Sequence, residues 1–195
     1  EKFDLVPNYG DNFDVSRENT VESVFAFQAS ANDNGGGGNA NWGDMLNTPQ
    51  NAGGGAGFFT PTYFFTNHFK TTAGGLPVAS PQNTQVIDPY SQAGFTEYTG
   101  PLDPRLDWTI GRKGIPYHDW GVVDDTWIRT DPGVTAPYSS GPYHPKKGTI
   151  RNSQVQGSRD AGVWFQTGGV SLNINLIRFA DVLLMAAQGE AEAPG

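Results

Sequence analysis

The sequence predicts a folded but loop-rich chain carrying a few helices and short strands, and three observations lead there. Of its 195 residues, 26 are Gly and 14 are Pro, about a fifth of the chain against roughly 12% in ordinary proteins, which leaves little room for long regular elements. Aromatic residues make up 12%. These large side chains can build a core even though Leu, Ile, Val and Phe together reach only about a fifth of the chain, just above the range in which chains stay disordered. The third observation is one clear helical pattern near the carboxyl end. At this length one domain is expected.

The first predicted element is a strand over 23–28, where Val24-Phe25-Ala26-Phe27 combines β-branched and aromatic residues. Two runs follow, Asn32-Asp33-Asn34-Gly35-Gly36-Gly37-Gly38-Asn39 and Asn51-Ala52-Gly53-Gly54-Gly55-Ala56-Gly57. Gly and Asn tolerate positive φ and oppose regular elements, so both read as loops. Between them, Trp42-Gly43-Asp44-Met45-Leu46 is an apolar island that fits a single turn gripping the body of the protein. Pro61 at a first helical position, with Phe65 and Phe69 four apart, predicts a short helix over 61–71.

Between Gly74 and Gly169 proline recurs too often for anything but loops with short helical or strand pieces. The final segment differs. Leu176, Phe179, Ala180, Leu183 and Ala187 fall on one face at helical spacing and predict a helix over 175–190, with Asn173 or Asn175 as N-cap. Arg178 and Asp181 are placed to pair. Ile177, Val182, Leu184 and Met185 widen the apolar face beyond the need of a helix packed on one side, so a partner helix is expected. No internal repeat of about 30 to 45 residues is visible.

A formal net charge of −8 and an isoelectric point near 4.7 would repel phosphate backbones, which argues against nucleic acid as a partner. No apolar run approaches the roughly 18 residues of a membrane helix. The chain has no Cys, so disulfides, Cys-based zinc sites and thiol catalysis are excluded within it. Its first residue is Glu1. A processed or trimmed chain is therefore expected, from which any signal peptide or lipid-attachment Cys has already gone.

Four blocks in order carry a family resemblance: Asn19 to Gln28 (NTVESVFAFQ), Asn67 to Pro77 (NHFKTTAGGLP), Asp103 to Gly121 (DPRLDWTIGRKGIPYHDWG) and Leu176 to Glu190 (LIRFADVLLMAAQGE). Together they resemble the SusD/RagB family of outer-membrane nutrient-capture lipoproteins. Ala187-Gln188-Gly189 departs from the Ala-Glu-Ala usual there. The resemblance implies a mainly α protein on a tetratricopeptide-like helical scaffold, with long irregular loops forming the binding face. It implies that residues 1–195 are part of one such domain, lacking amino-terminal helical repeats and distal carboxyl-terminal helices. It further implies a surface-exposed outer-membrane lipoprotein that captures an oligosaccharide, or in a RagB-like system a peptide, for a SusC-like TonB-dependent transporter. No catalysis and no cofactor are expected.

Carbohydrate capture needs apolar faces for the C–H side of a sugar and amides or carboxylates for its hydroxyls. Asn39, Asn41 and Trp42 supply that combination in a Gly-rich loop, where the resemblance also puts ligand contacts, although Trp42 can equally plug the loop onto the core. Trp127 is a further candidate. It and Trp120 flank Asp124-Asp125, and either ring can face a ligand or pack inside. The Gly runs fail as a phosphate cradle because no Lys-Ser/Thr follows them. Asp103 and Asp107 are two carboxylates four apart, as a polysaccharide hydrolase would need. Asp-Pro-Arg-Leu-Asp-Trp reads more simply as a turn capped by Asp103, with Arg105 paired to a carboxylate and Trp108 buried. His68, His118 and His144 lack metal-ligand spacing, and Ser139-Ser140 near His144 lacks a nucleophile elbow.

Overall fold

A computed structural model describes residues 2–35, 37–79, 98–127, 142–160 and 169–193. In chain order its elements are β1 (Ser23–Phe27), α1 (Gly43–Asn47), α2 (Tyr63–Asn67), α3 (Leu106–Thr109), β2 (Ile110–Gly111), β3 (His144–Pro145), α4 (Val155–Ser158), β4 (Ile174–Arg178) and α5 (Phe179–Glu192). Short 3-10 turns lie at Tyr9–Phe13, Val15–Arg17, Asp125–Trp127 and Asn152–Gln154. The described residues are thus loop-rich, with few helices and short strands. No helix among them is long and apolar enough to cross a membrane. Much of the proline-punctuated stretch, including Ser139-Ser140, lies outside the described residues.

The expected strand at 23–28 is β1, but its partner corrects the reading of the carboxyl end. Residues 174–178 form a strand, not the start of a helix, and pair antiparallel with β1 through Ser23↔Arg178, Phe25↔Ile177, Ala26↔Asn175 and Phe27↔Ile174. The helix begins only at Phe179. Ile174, Leu176 and Ile177 satisfy either periodicity over so short a run, and the available edge of β1 decides for extended backbone. The asparagines expected as N-caps are cross-chain ties instead: Asn173 Oδ1 accepts from Ala29 N (2.8 Å) and Asn175 Nδ2 donates to the Asn12 carbonyl (2.8 Å). At the true helix start Arg178 N donates to Asp181 Oδ2 (2.8 Å), a carboxylate well placed against the helix dipole.

The expected Arg178–Asp181 pair is present but loose, at 3.8 Å. Arg178 makes its closer contact, 3.2 Å, with Glu22, whose other oxygen accepts from Val6 N at 3.0 Å. With Glu22 at 3% exposure, one carboxylate joins the amino-terminal segment, the start of β1 and the start of α5.

The helix expected over 61–71 shrinks to Tyr63–Asn67. Thr62, not Pro61, opens it by accepting from Phe65 N at 3.1 Å. The chain then leaves helical geometry so that Lys70 can bridge to Leu102. Phe65 and Phe69 still meet edge to face, 5.5 Å between centroids.

Three small clusters make the core: Leu106, Ile110 and Tyr143; Ala52, Tyr117, Val123 and Trp127; and Ile150, Val170 and Leu172. The second cluster takes Ala52 from a Gly-rich run, so that loop is anchored inside the protein. Gly55 is required there, because a Cβ would collide with the Thr48 carbonyl. The Asp103 turn forms as expected: Asp103 Oδ1 accepts from Arg105 N (2.9 Å) and its carboxylate pairs with the Arg105 guanidinium. Trp108 is half-buried rather than fully buried. Its ring lies against Gly10, where any Cβ would strike it.

Candidate functional site

A cleft of about 280 Å³ lies where the first 3-10 turn, α1, the stretch after β3 and the start of β4 come together. Phe13, Asn41, Gly43, Asn47, Lys147, Leu172, Asn173, Ile174 and Asn175 line it. The order of construction is visible in the hydrogen bonds. Asn41 pairs with Val170 in an isolated bridge, donates from Nδ2 to the Leu172 carbonyl (3.1 Å), and accepts from Gly43 N (3.1 Å) to start α1. This places Asn47, at the far end of α1, on the same wall. The chain entering β4 adds Asn173, Ile174 and Asn175 to the lining.

Most of these amides are committed to the walls. Asn173 donates to Gln28 Oε1 (3.0 Å), and Asn175 Oδ1 accepts from Ser23 Oγ (3.4 Å) in addition to the ties above. Asn47 Oδ1 differs, being buried with no hydrogen-bond partner. A buried acceptor left in this state is costly.

The remaining wall is aromatic and cationic. Tyr9 and Phe13 pack edge to face, 5.3 Å apart, and Lys147 Nζ stands 4.8 Å from the Phe13 centroid and 5.4 Å from that of Tyr9. Arg178 also lies over both rings at 5.8 Å, but Glu22 and Asp181 already balance its charge. Glu18, which lines a separate recess of about 10 Å³, accepts from Asn173 N at 2.5 Å. Burial raises its pKa against that hydrogen bond.

The sequence candidates divide across the structure. Asn41 is on the cleft wall. Asn39 is exposed on the neighbouring loop and donates to Asp33 Oδ2 at 2.8 Å. Trp42 lies between two lining residues, half-buried, its indole N–H donating to the Gly37 carbonyl at 2.7 Å. Trp127 is corrected: it is 7% exposed in the core, its ring 5.5 Å from that of Tyr117, because the Asp125–Trp127 turn points it inward. Trp120 is half-buried and donates to the Ile150 carbonyl at 2.9 Å.

Sequence reasoning missed Phe13, Asn47, Lys147, Asn173 and Asn175 as lining residues. The alternation Asn173-Ile174-Asn175-Leu176 was the available signal, two amides on one face of a strand.

A model of the SusD family matches residues 21–194. The chain belongs to the SusD family. No curated protein matches it. SusD-family proteins bind nutrients for uptake at the outer membrane and are generally non-catalytic.

Asp103 and Asp107 of this SusD-family chain, the two carboxylates spaced four apart, are held by guanidinium groups. Arg112 grips Asp107 through two contacts, 2.6 and 3.0 Å, and the Arg105 hydrogen bonds hold Asp103 below the usual carboxylate range. A carboxyl held ionised in this way is a poor proton donor to a glycosidic oxygen. Among the described residues no three His, Asp or Glu side chains gather as a metal site.

Burial, rather than catalytic poise, accounts for the shifts of His118, His144 and Lys146. Desolvation lowers His144 and His118 to about 4, with the Lys146 charge adding to the effect at His118. Desolvation also lowers Lys146 to about 8, while its ammonium donates to the Asp107 and Pro116 carbonyls at 2.7 and 2.8 Å.

Proposed function

We propose that this chain captures an oligosaccharide at the outer-membrane surface and delivers it to a SusC-like TonB-dependent transporter, as part of a surface lipoprotein on a tetratricopeptide-like helical scaffold. The observation that carries the reading is the cleft. Its apolar residues, Phe13, Leu172 and Ile174, lie among Asn41, Asn47, Asn173 and Asn175, the mixture a sugar ring with both C–H faces and hydroxyls requires. Trp42 and Asn39, on the loop that runs into Asn41, extend the face along a longer ligand.

The reading is tested with a glycan and peptide array followed by calorimetric titration. Oligosaccharides are expected to bind, and Trp42→Ala is expected to weaken them about tenfold, or about 1.4 kcal/mol, with the melting temperature moved by no more than a few degrees. Peptides retained in place of glycans would replace this reading with RagB-like peptide capture. Unchanged affinity with a large loss of stability would assign Trp42 to packing alone.

A further inference from the structure

Lys147 is the residue that the glycan reading leaves without a task. Its neighbours in charge are accounted for: Arg105 by Asp103, Arg112 by Asp107, Arg151 by Asp14 and Arg178 by Glu22. Lys146 turns its ammonium inward onto two carbonyls. Lys147 instead rests on the Phe13 and Tyr9 rings on the wall of the cleft, and among the described residues no carboxylate pairs with it.

A cation over aromatic faces keeps its charge available in one direction while the rings fix its position. The setting strengthens the point. The chain as a whole carries −8, which discourages anionic ligands at long range, yet salt screens that field beyond about 8 Å at physiological strength. An adjacent unpaired ammonium in a partly enclosed cleft therefore governs what binds there.

We propose that the cleft selects an acidic oligosaccharide, a uronic-acid unit of which sets its carboxylate against Lys147 Nζ while its ring lies against the apolar and polar residues that line the rest of the cleft. The inference rests on the glycan-binding reading and adds the chemical class of sugar. Acidic peptides share the carboxylate, but the neutral amide and apolar walls on the other sides of the cleft fit a polyhydroxylated ring better than a charged backbone terminus.

The test uses the 195-residue chain and trimers of galacturonic and of glucuronic acid, each beside the same trimer after carboxyl reduction to the neutral sugar, measured by titration calorimetry. At least one acidic trimer is expected to bind tenfold or more tightly than its reduced form, with the advantage shrinking as salt is raised. Lys147→Met should abolish the advantage and Lys147→Arg should retain it, with circular dichroism showing both variants folded. Reduced trimers that bind as tightly as acidic ones would overturn the acidic preference and leave glycan capture standing. An acidic preference that survives Lys147→Met would overturn the assignment to this residue. Binding of acidic peptides but of neither trimer series would overturn both readings, and no binding to any of these probes would overturn the uronic-acid assignment.

Discussion

Replacing Arg178 by Met should be among the most damaging single changes in this chain, and the structure gives the size. The guanidinium lies 3.2 Å from Glu22 Oε1, with side-chain exposures of 19% for Arg178 and 4% for Glu22. Its removal leaves a buried carboxylate that accepts from the Val6 amide. Breaking a buried pair from one side costs roughly 3 to 5 kcal/mol, because the surviving charge stays desolvated. The partial exposure of Arg178 favours the lower end, about 3 kcal/mol. Met keeps much of the stem that packs over Tyr9 and Phe13, so the loss reports charge more than volume.

The companion variants isolate the cause. Glu22→Leu alone leaves the arginine its looser contact with Asp181, whereas Glu22→Leu with Arg178→Met removes both charges of the buried pair and should recover most of the loss. Urea denaturation of the two single variants and the double variant, followed by tryptophan fluorescence, measures the coupling. A cost under about 1 kcal/mol for Arg178→Met, or a double variant equal to the sum of the singles, would refute the reasoning.

Trp108→Ala should destabilise the chain by about 3 kcal/mol, the low end for a large aromatic because the ring is half-buried; a shift under 1 kcal/mol in chemical denaturation would contradict its packing on Gly10. For His144 and His118, both lowered to about 4, the unfolded chain binds the protons first as pH falls. Their stabilisation is therefore full above about pH 6.5 and is lost between there and about pH 4, at no more than about 1.4 kcal/mol per pH unit for each histidine. His144→Phe should flatten that slope in denaturation series across the interval. The isolated chain should also self-associate, because Leu184 (70% exposed), Met185 (65%), Phe25 (58%) and Leu176 (57%) present apolar surface on α5 and the β1–β4 pair. Sedimentation of a monodisperse 21.0 kDa species would count against this.

Local chemistry made several elements legible in the sequence. The β-branched and aromatic run at 23–27, the Asp103 turn, the Arg178–Asp181 spacing and the four family blocks all depend on neighbours in the chain, and the family match over 21–194 bears out the recognition. Asn41 was legible as a polar residue beside a Gly-rich loop, though not what it faces. The cleft itself was not legible, since it draws Phe13, Asn41, Lys147 and Asn175 from segments far apart in sequence.

By itself, then, the sequence determined a loop-rich, acidic chain, its family and the elements whose signals lie within a few residues. Only the tertiary structure decided between strand and helix at 174–178, where both periodicities fit and the free edge of β1 broke the tie. It alone decided that Trp127 packs inside while Lys147 rests on the Phe13 ring beside the cleft. Burial and charge pairing are properties of residues brought together from distant parts of the chain, and no local pattern encodes which of them will meet.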